Sequence, residues 1–133
     1  MKSAWIFFAS PARLGKAVLL LAALWFAPAE AWAHAYLAKA TPAQRAVVFS
    51  PPSHVQLLFS ERLEPKFCTV SVTDAKGNSV DNADLKVDEE NPKMLTVGLK
   101  PLPAGAYNVQ FRVLSVDGHV VNDKFTFTVR ERR

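Results

Sequence analysis

Hydrophobic and polar side chains alternate in five separate runs between residues 55 and 129, and this period of two strongly limits the possible folds. In the first run, Val55, Leu57 and Phe59 share one face, and the same pattern recurs in Phe67–Thr73, Leu95–Leu99, Tyr107–Val113 and Lys124–Arg130. Such alternation is typical of β-strands with one buried face. No segment of residues 34–133 keeps a helical period over three turns. The sequence therefore predicts a succession of short strands.

Six to eight such strands within about 100 residues predict an all-β fold, a Greek-key β-sandwich or barrel of Ig-like type with seven to eight strands. One hundred residues form a single small domain and leave little room for a multidomain enzyme. Residues 34–133 contain one cysteine, Cys68, which excludes an internal disulfide framework and a Cys-rich zinc site. We expect Cys68 to be buried, and we expect the polar segment Asp81–Asn91 to be a solvated edge or loop.

Residues 1–33 have the character of a secretory signal peptide. The apolar run Ala17–Ala29 follows a basic start, is about thirteen residues long and precedes Ala31-Trp32-Ala33, a small-x-small cleavage pattern. A membrane-spanning helix needs about 20 apolar residues, so an uncleaved anchor is the less favoured alternative. Cleavage after Ala33 predicts a periplasmic domain of residues 34–133 that begins with His34.

The charge of this domain does not indicate a nucleic-acid-binding protein. Three of the 16 Lys and Arg residues and one of the 12 acids lie within residues 1–33, which leaves 13 basic and 11 acidic side chains. A formal charge of +2 on 100 residues, without a run of basic and aromatic residues, gives no electrostatic footprint for DNA or RNA. Catalytic motifs such as GxSxG or a Gly-rich phosphate loop are also absent from the sequence.

A carboxylate and an imidazole follow the longest predicted strand, in Ser115-Val116-Asp117-Gly118-His119. In an extended chain, counting by two from Tyr107 places Asp117 and His119 on one side, just beyond the hydrophobic run. The alternative interpretation is that Asp-Gly only forms a hairpin turn and that His119 is an ordinary surface residue.

An N-terminal histidine would change the chemistry available to that pair. His34 would offer its α-amine and a ring nitrogen, and the pKa of an α-amine is only about 7.7–8.0. With the imidazole of His119 and an oxygen of Asp117, the set is three nitrogens and one oxygen, which suits Cu(II). Zinc, which prefers a tetrahedron, remains an alternative.

Several motifs resemble those of the CopC family of periplasmic copper-binding proteins, over essentially all of residues 34–133. They are His34-Ala35-Tyr36-Leu37, Thr41-Pro42-Ala43, Pro51-Pro52, Phe59-Ser60-Glu61, Leu102–Tyr107 and Ser115–His119. The resemblance implies a Greek-key fold and one Cu(II) per chain, held by His34, Asp117 and His119. It also implies an inner-membrane copper transporter of CopD type as partner. We expect a monomer that sequesters or delivers copper and is not an enzyme.

Other positions are less decided. The resemblance makes Glu61 a weaker candidate, as an axial ligand or a neighbour of the site, and the alternative is an exposed carboxylate at a strand end.

Some family members carry a second, Cu(I) site rich in Met and His. Here Met94 is the one Met of residues 34–133, so we expect no Cu(I) site. Phe111 stands where members often have Trp, and His54 is expected to face solvent.

Two other functions stay open at this point. An N-terminal histidine on a β-sandwich is also similar to the copper site of lytic polysaccharide monooxygenases, which are oxidative enzymes with a flat aromatic surface. The few aromatic residues here are placed mostly inside by the alternation. The second alternative is an Ig-like interaction module without metal.

Overall fold

The computed structural model describes residues 35–133, and it arranges them as two four-stranded sheets. The first sheet has the order β1 (Leu37–Thr41), β3 (His54–Phe59), β6 (Met94–Gly98) and β5 (Lys86–Val87). The second has the order β2 (Val47–Val48), β8 (Val120–Val129), β7 (Gly105–Leu114) and β4 (Thr69–Asp74). The prediction of an all-β sandwich with seven to eight strands is confirmed. The predicted signal peptide, residues 1–33, and His34 lie outside the described residues.

Helical structure is almost absent from this part of the chain. Between residues 35 and 133 it is confined to one turn of 3-10 helix at Pro65–Phe67. No helix among these residues is long and apolar enough to cross a membrane.

The core lies between the two sheets and is built from the alternating residues of the long strands. In β3 every second side chain is buried, and Val55, Leu57 and Phe59 are at most 1% exposed. The ring of Phe59 meets that of Phe111 from the opposite sheet edge-to-face, with centroids 5.5 Å apart. Aromatic pairs in this geometry add stability beyond the burial of their area. The strand patterns predicted from the alternation therefore define the inner faces of the sandwich.

Strands β7 and β8 form the longest hairpin, with ten antiparallel pairs from Gly105 opposite Val129 to Leu114 opposite Val120. The connection between them consists of residues 115–119, which we call the hairpin turn. It holds both Asp117 and His119. The turn therefore lies at the end of the sandwich where β7 stops.

Residues 60–64, which we call the bridging segment, connect this turn to the first described residues of the chain. Tyr36 and Ser60 are joined by two hydrogen bonds, from Ser60 N to Tyr36 O (2.9 Å) and from Tyr36 N to Ser60 Oγ (3.0 Å). Further along the segment, Glu64 N donates to Leu114 O and Val116 N donates to Arg62 O, both over 2.9 Å. The bridging segment is thus bonded to residues at the start of the chain and to the hairpin turn.

The polar segment Asp81–Asn91 departs from its prediction at one position. Strand β5 lies at the sheet edge, as expected, but Asp81 is only 9% exposed. Its Oδ2 accepts the Val72 amide of β4 over 3.0 Å, and Asp81 itself bridges to Leu99, which follows β6. Asp81 thus connects the two sheets: its carboxylate satisfies a buried main-chain donor of β4, and its main chain bridges to Leu99. Cys68 is buried as predicted, and burial raises the pKa of its thiol.

Candidate metal centre

The hairpin turn is closed by main-chain hydrogen bonds at Ser115. Ser115 N donates to His119 O and Gly118 N donates to Ser115 O, both over 2.9 Å. Gly118 has a φ of +90°, in the left-handed region that glycine enters without steric cost. Asp117 and His119 therefore do not lie on one extended strand, since the chain turns between β7 and β8. The Asp-Gly pair forms a hairpin turn, as the alternative interpretation of this segment predicted.

The turn nevertheless brings the two side chains together. Nδ1 of His119 lies 2.9 Å from Oδ2 of Asp117, and the two side chains are 33% and 38% exposed, respectively. The pair is thus open to solvent on one side and supported by protein on the other. An ion could reach it without any movement of the core.

The carboxylate of Asp117 has a second partner. Its Oδ1 accepts the hydroxyl of Ser115, a side chain that is only 1% exposed. This hydrogen bond, followed by the one to the imidazole of His119, lowers the pKa of Asp117 to about 2. The carboxylate is therefore ionised near neutral pH, and it needs no deprotonation to bind a cation.

The distance between Nδ1 of His119 and Oδ2 of Asp117 is compatible with a shared metal ion as well as with a shared proton. Imidazole nitrogen and carboxylate oxygen are both metal ligands, with bonds of about 2.0–2.2 Å to zinc, so two such atoms about 3 Å apart can contact one ion. Nδ1 and Oδ2 have that separation. A divalent ion bound by both atoms would take the place of the shared proton.

The structure does not assemble a complete ligand set from the residues that it describes. Across residues 35–133, no group of three His, Cys, Asp or Glu side chains could hold a metal ion. Asp117 and His119 are adjacent, whereas Glu61 is half-buried in the bridging segment. The remaining predicted donors belong to His34, which lies outside the described residues.

His54 is remote from this arrangement. It begins β3, at the end of that strand opposite to Ser60, and it is exposed as expected. Its Nδ1 lies 3.0 Å from Oγ of the neighbouring Ser53. No further His occurs in residues 35–133 besides His119.

Comparison with known proteins identifies the family. Residues 37–130 match the family model described as the CopC domain. The chain belongs to the CopC family. The resemblance inferred from the motifs is confirmed by this match, which spans nearly all of the described strands.

Two curated relatives of this CopC-family chain are named as copper proteins. It is 32% identical over 124 residues to copper resistance protein C of Escherichia coli, covering 88% of this chain and 98% of that protein. It is also 32% identical over 113 residues to the copper transport protein CutJ of Bacillus subtilis, covering 84% of this chain. This CopC-family chain spans only 21% of the length of CutJ.

A solved structure agrees with the fold. The crystal structure of CopC from Methylosinus trichosporium OB3b superposes with a TM-score of 0.69 at 36% sequence identity, covering 75% of this chain and 97% of that one. The two-sheet architecture of residues 35–133 is therefore the architecture of a CopC protein.

Ser115 is the one site residue to which the sequence alone assigned no role. It lies two positions beyond Val113, so it continues the inward-facing period of β7. This alternation correctly predicts that the Ser115 side chain faces the interior of the sandwich. It does not reveal the partner of the hydroxyl, which depends on how the turn folds back.

Proposed function

We propose that this chain is a periplasmic Cu(II)-binding protein of copper homeostasis, which sequesters or delivers one ion per chain. The observation that supports this proposal most directly is the 2.9 Å distance between His119 Nδ1 and Asp117 Oδ2 in a half-exposed turn. An ionised carboxylate beside an imidazole is a donor pair for a divalent metal, and the names of the relatives support copper as that metal.

The other two donors in the proposal are the α-amine and imidazole of His34 after cleavage behind Ala33. The backbone register supports this choice. Ser60 is bonded to Tyr36, and two residues later Arg62 is bonded to Val116 of the hairpin turn. The start of the described chain at Tyr36 is thus bonded to the same segment that is bonded to the turn holding Asp117 and His119.

This donor set favours Cu(II) over other divalent ions. Three nitrogens and one oxygen suit the tetragonal geometry of Cu(II), which also stands at the top of the Irving–Williams order. Calcium and magnesium prefer oxygen ligands and fit poorly. Glu61, half-buried in the bridging segment, is proposed only as an axial ligand or as a neighbour of the site.

The proposed place in the cell rests on the predicted signal peptide, and the proposed partner rests on the family. We propose that the mature domain is a monomer that exchanges copper with an inner-membrane transporter of CopD type. The match of this chain to a fifth of a copper transport protein supports that link. We propose binding rather than catalysis as its role.

The test uses the mature protein, with His34 confirmed as its first residue by mass spectrometry. Cu(II) affinity is measured by competition with a chelator, and electron paramagnetic resonance counts the nitrogen ligands. His119→Ala should weaken binding by more than about 100-fold, since even a residue behind a ligand is worth 10–100-fold. His54→Ala is the matched control and should bind as the wild type does. Equal affinity of the His119→Ala protein would refute the proposed site.

A further inference from the structure

The hydroxyl of Ser115 contacts both members of the Asp117–His119 pair from the interior side. Its Oγ donates to Oδ1 of Asp117 and accepts the amide of His119 over 3.2 Å. The other carboxylate oxygen, Oδ2, is the one that faces Nδ1 of His119. The two oxygens of one carboxylate are therefore divided between a buried hydroxyl and the proposed metal site.

We propose that Ser115 is a positioning residue for copper, which holds Oδ1 of Asp117 so that Oδ2 is presented to the ion beside His119. This inference rests on the proposed function, because it assigns the orientation of a ligand of that site.

The physical basis is the freedom of an aspartate side chain. The torsion that rotates a carboxylate is broad and has no strong preference of its own. The Asp117 side chain is 38% exposed, so packing alone does not fix it. A hydrogen bond from a donor that is itself immobile removes this freedom, and Ser115 is immobile because it is 1% exposed at the end of β7.

Main-chain hydrogen bonds also close the turn, besides the contacts of the hydroxyl with the amide and carbonyl of His119. The main-chain bonds from Ser115 N to His119 O and from Gly118 N to Ser115 O remain when the side chain is changed. Removal of the hydroxyl should therefore leave the hairpin formed and release the carboxylate. This separates a positioning role from a purely structural one.

Ser115→Ala should lower the Cu(II) affinity of the mature protein by about 10–100-fold, the range found for groups that orient metal ligands. The copper spectrum in electron paramagnetic resonance should change as well. Because Thr and Val have nearly the same shape, Ser115→Thr and Ser115→Val separate the hydroxyl from packing. The Thr protein should retain more affinity than the Val protein, and more of the wild-type spectrum.

Ser79→Ala is the matched control. It removes another serine-to-aspartate hydrogen bond, from Ser79 Oγ to Asp81 Oδ2 over 3.2 Å, away from the hairpin turn. Its copper affinity and spectrum should equal those of the wild type. In an Asp117→Ala background, Ser115→Ala should have a smaller effect than in the wild type, since the hydroxyl then has no carboxylate to hold and keeps only its contacts with the main chain of His119.

Wild-type affinity and spectrum in both the Ala and Val proteins would overturn the positioning role. So would equal losses in the Thr and Val proteins, or an equal loss in Ser79→Ala. These results leave the proposed function standing as long as the wild type binds Cu(II) and His119→Ala does not. If the wild type itself fails to bind Cu(II), both proposals are refuted.

Discussion

The amide of Val116 donates to the carbonyl oxygen of Arg62 over 2.9 Å, and this bond ties the hairpin turn to the bridging segment. The same segment is bonded through Ser60 to Tyr36, near the start of the described chain. These contacts join parts of the sequence about 80 residues apart. Five predictions test the consequences of this arrangement and of the buried polar contacts that support it.

An extra residue ahead of His34 should weaken copper binding. A glycine placed there converts the α-amine into a peptide nitrogen, so the chelate proposed for His34 loses one of its two donors. We expect affinity to fall at least about tenfold, a change of 1.4 kcal/mol in binding free energy. The control is a glycine added after Arg133, which should leave affinity unchanged. Equal binding by both extended proteins would exclude the α-amine as a ligand.

Acid should release copper before it protonates Asp117. The α-amine and the imidazoles bind a metal only in their deprotonated forms, so protons compete with copper for these donors as the pH falls. The pKa of Asp117 is lowered to about 2, so this carboxylate stays ionised in mildly acidic solution. Copper occupancy measured by equilibrium dialysis should therefore fall between pH 7 and pH 4. Constant occupancy down to pH 4 would contradict the proposed ligand set.

The copper-free protein should show the effect of Asp117 at lower pH. A group whose pKa is depressed by folding stabilises the folded state above its ordinary pKa, and this contribution is lost as the pH falls through the folded value. The difference in unfolding free energy between wild type and Asp117→Asn should be constant above about pH 4 and should shrink toward pH 2. Denaturant unfolding at several pH values measures it.

Asp81→Ala should destabilise the sandwich without affecting copper. The substitution leaves the buried Val72 amide without its acceptor, and an unsatisfied buried donor costs about 1–3 kcal/mol. Asp123→Ala is the control, because the exposed Asp123 accepts only from its neighbour Lys124, and its effect should stay within about 0.5 kcal/mol. Equal stability of the two variants would show that the Asp81 contact is unimportant.

Gly118→Ala should disturb both stability and copper binding, whereas Gly77→Ala should disturb stability alone. The two glycines have φ angles of +90° and +85°, and neither would bring an added Cβ within 4 Å of a neighbour. Each substitution therefore introduces only backbone strain, about 1 kcal/mol or more. Gly118 lies between Asp117 and His119, while Gly77 is in the turn after β4. An altered copper spectrum in the Gly77 variant would argue against a local effect.

The alternation of the sequence predicted the sandwich well because burial of one strand face is a local property. Val55, Leu57 and Phe59 could be assigned to the interior from their spacing alone. Gly118 could likewise be assigned to a turn. These features depend on neighbouring residues in the chain, and the structure confirms them.

The partners of the buried polar groups could not be predicted in this way. Whether Asp81 meets Val72, or the bridging segment meets Val116, depends on which strands become neighbours, and alternation does not specify strand order. The bond of Ser115 to Asp117 depends on the detailed path of the hairpin turn, which the sequence does not specify. The role of His34 stays a prediction, since that residue lies outside the described part of the chain.

Because the proposed ligands lie far apart in the sequence, the chain has to fold before the copper site is assembled. The bridging segment connects the hairpin turn to Tyr36 through hydrogen bonds between residues far apart in the sequence, and such contacts form as the chain folds. An exported chain that is still unfolded would thus offer at most a weak, incomplete site. Tight loading should follow folding, and bound copper should then stabilise the folded protein by mass action.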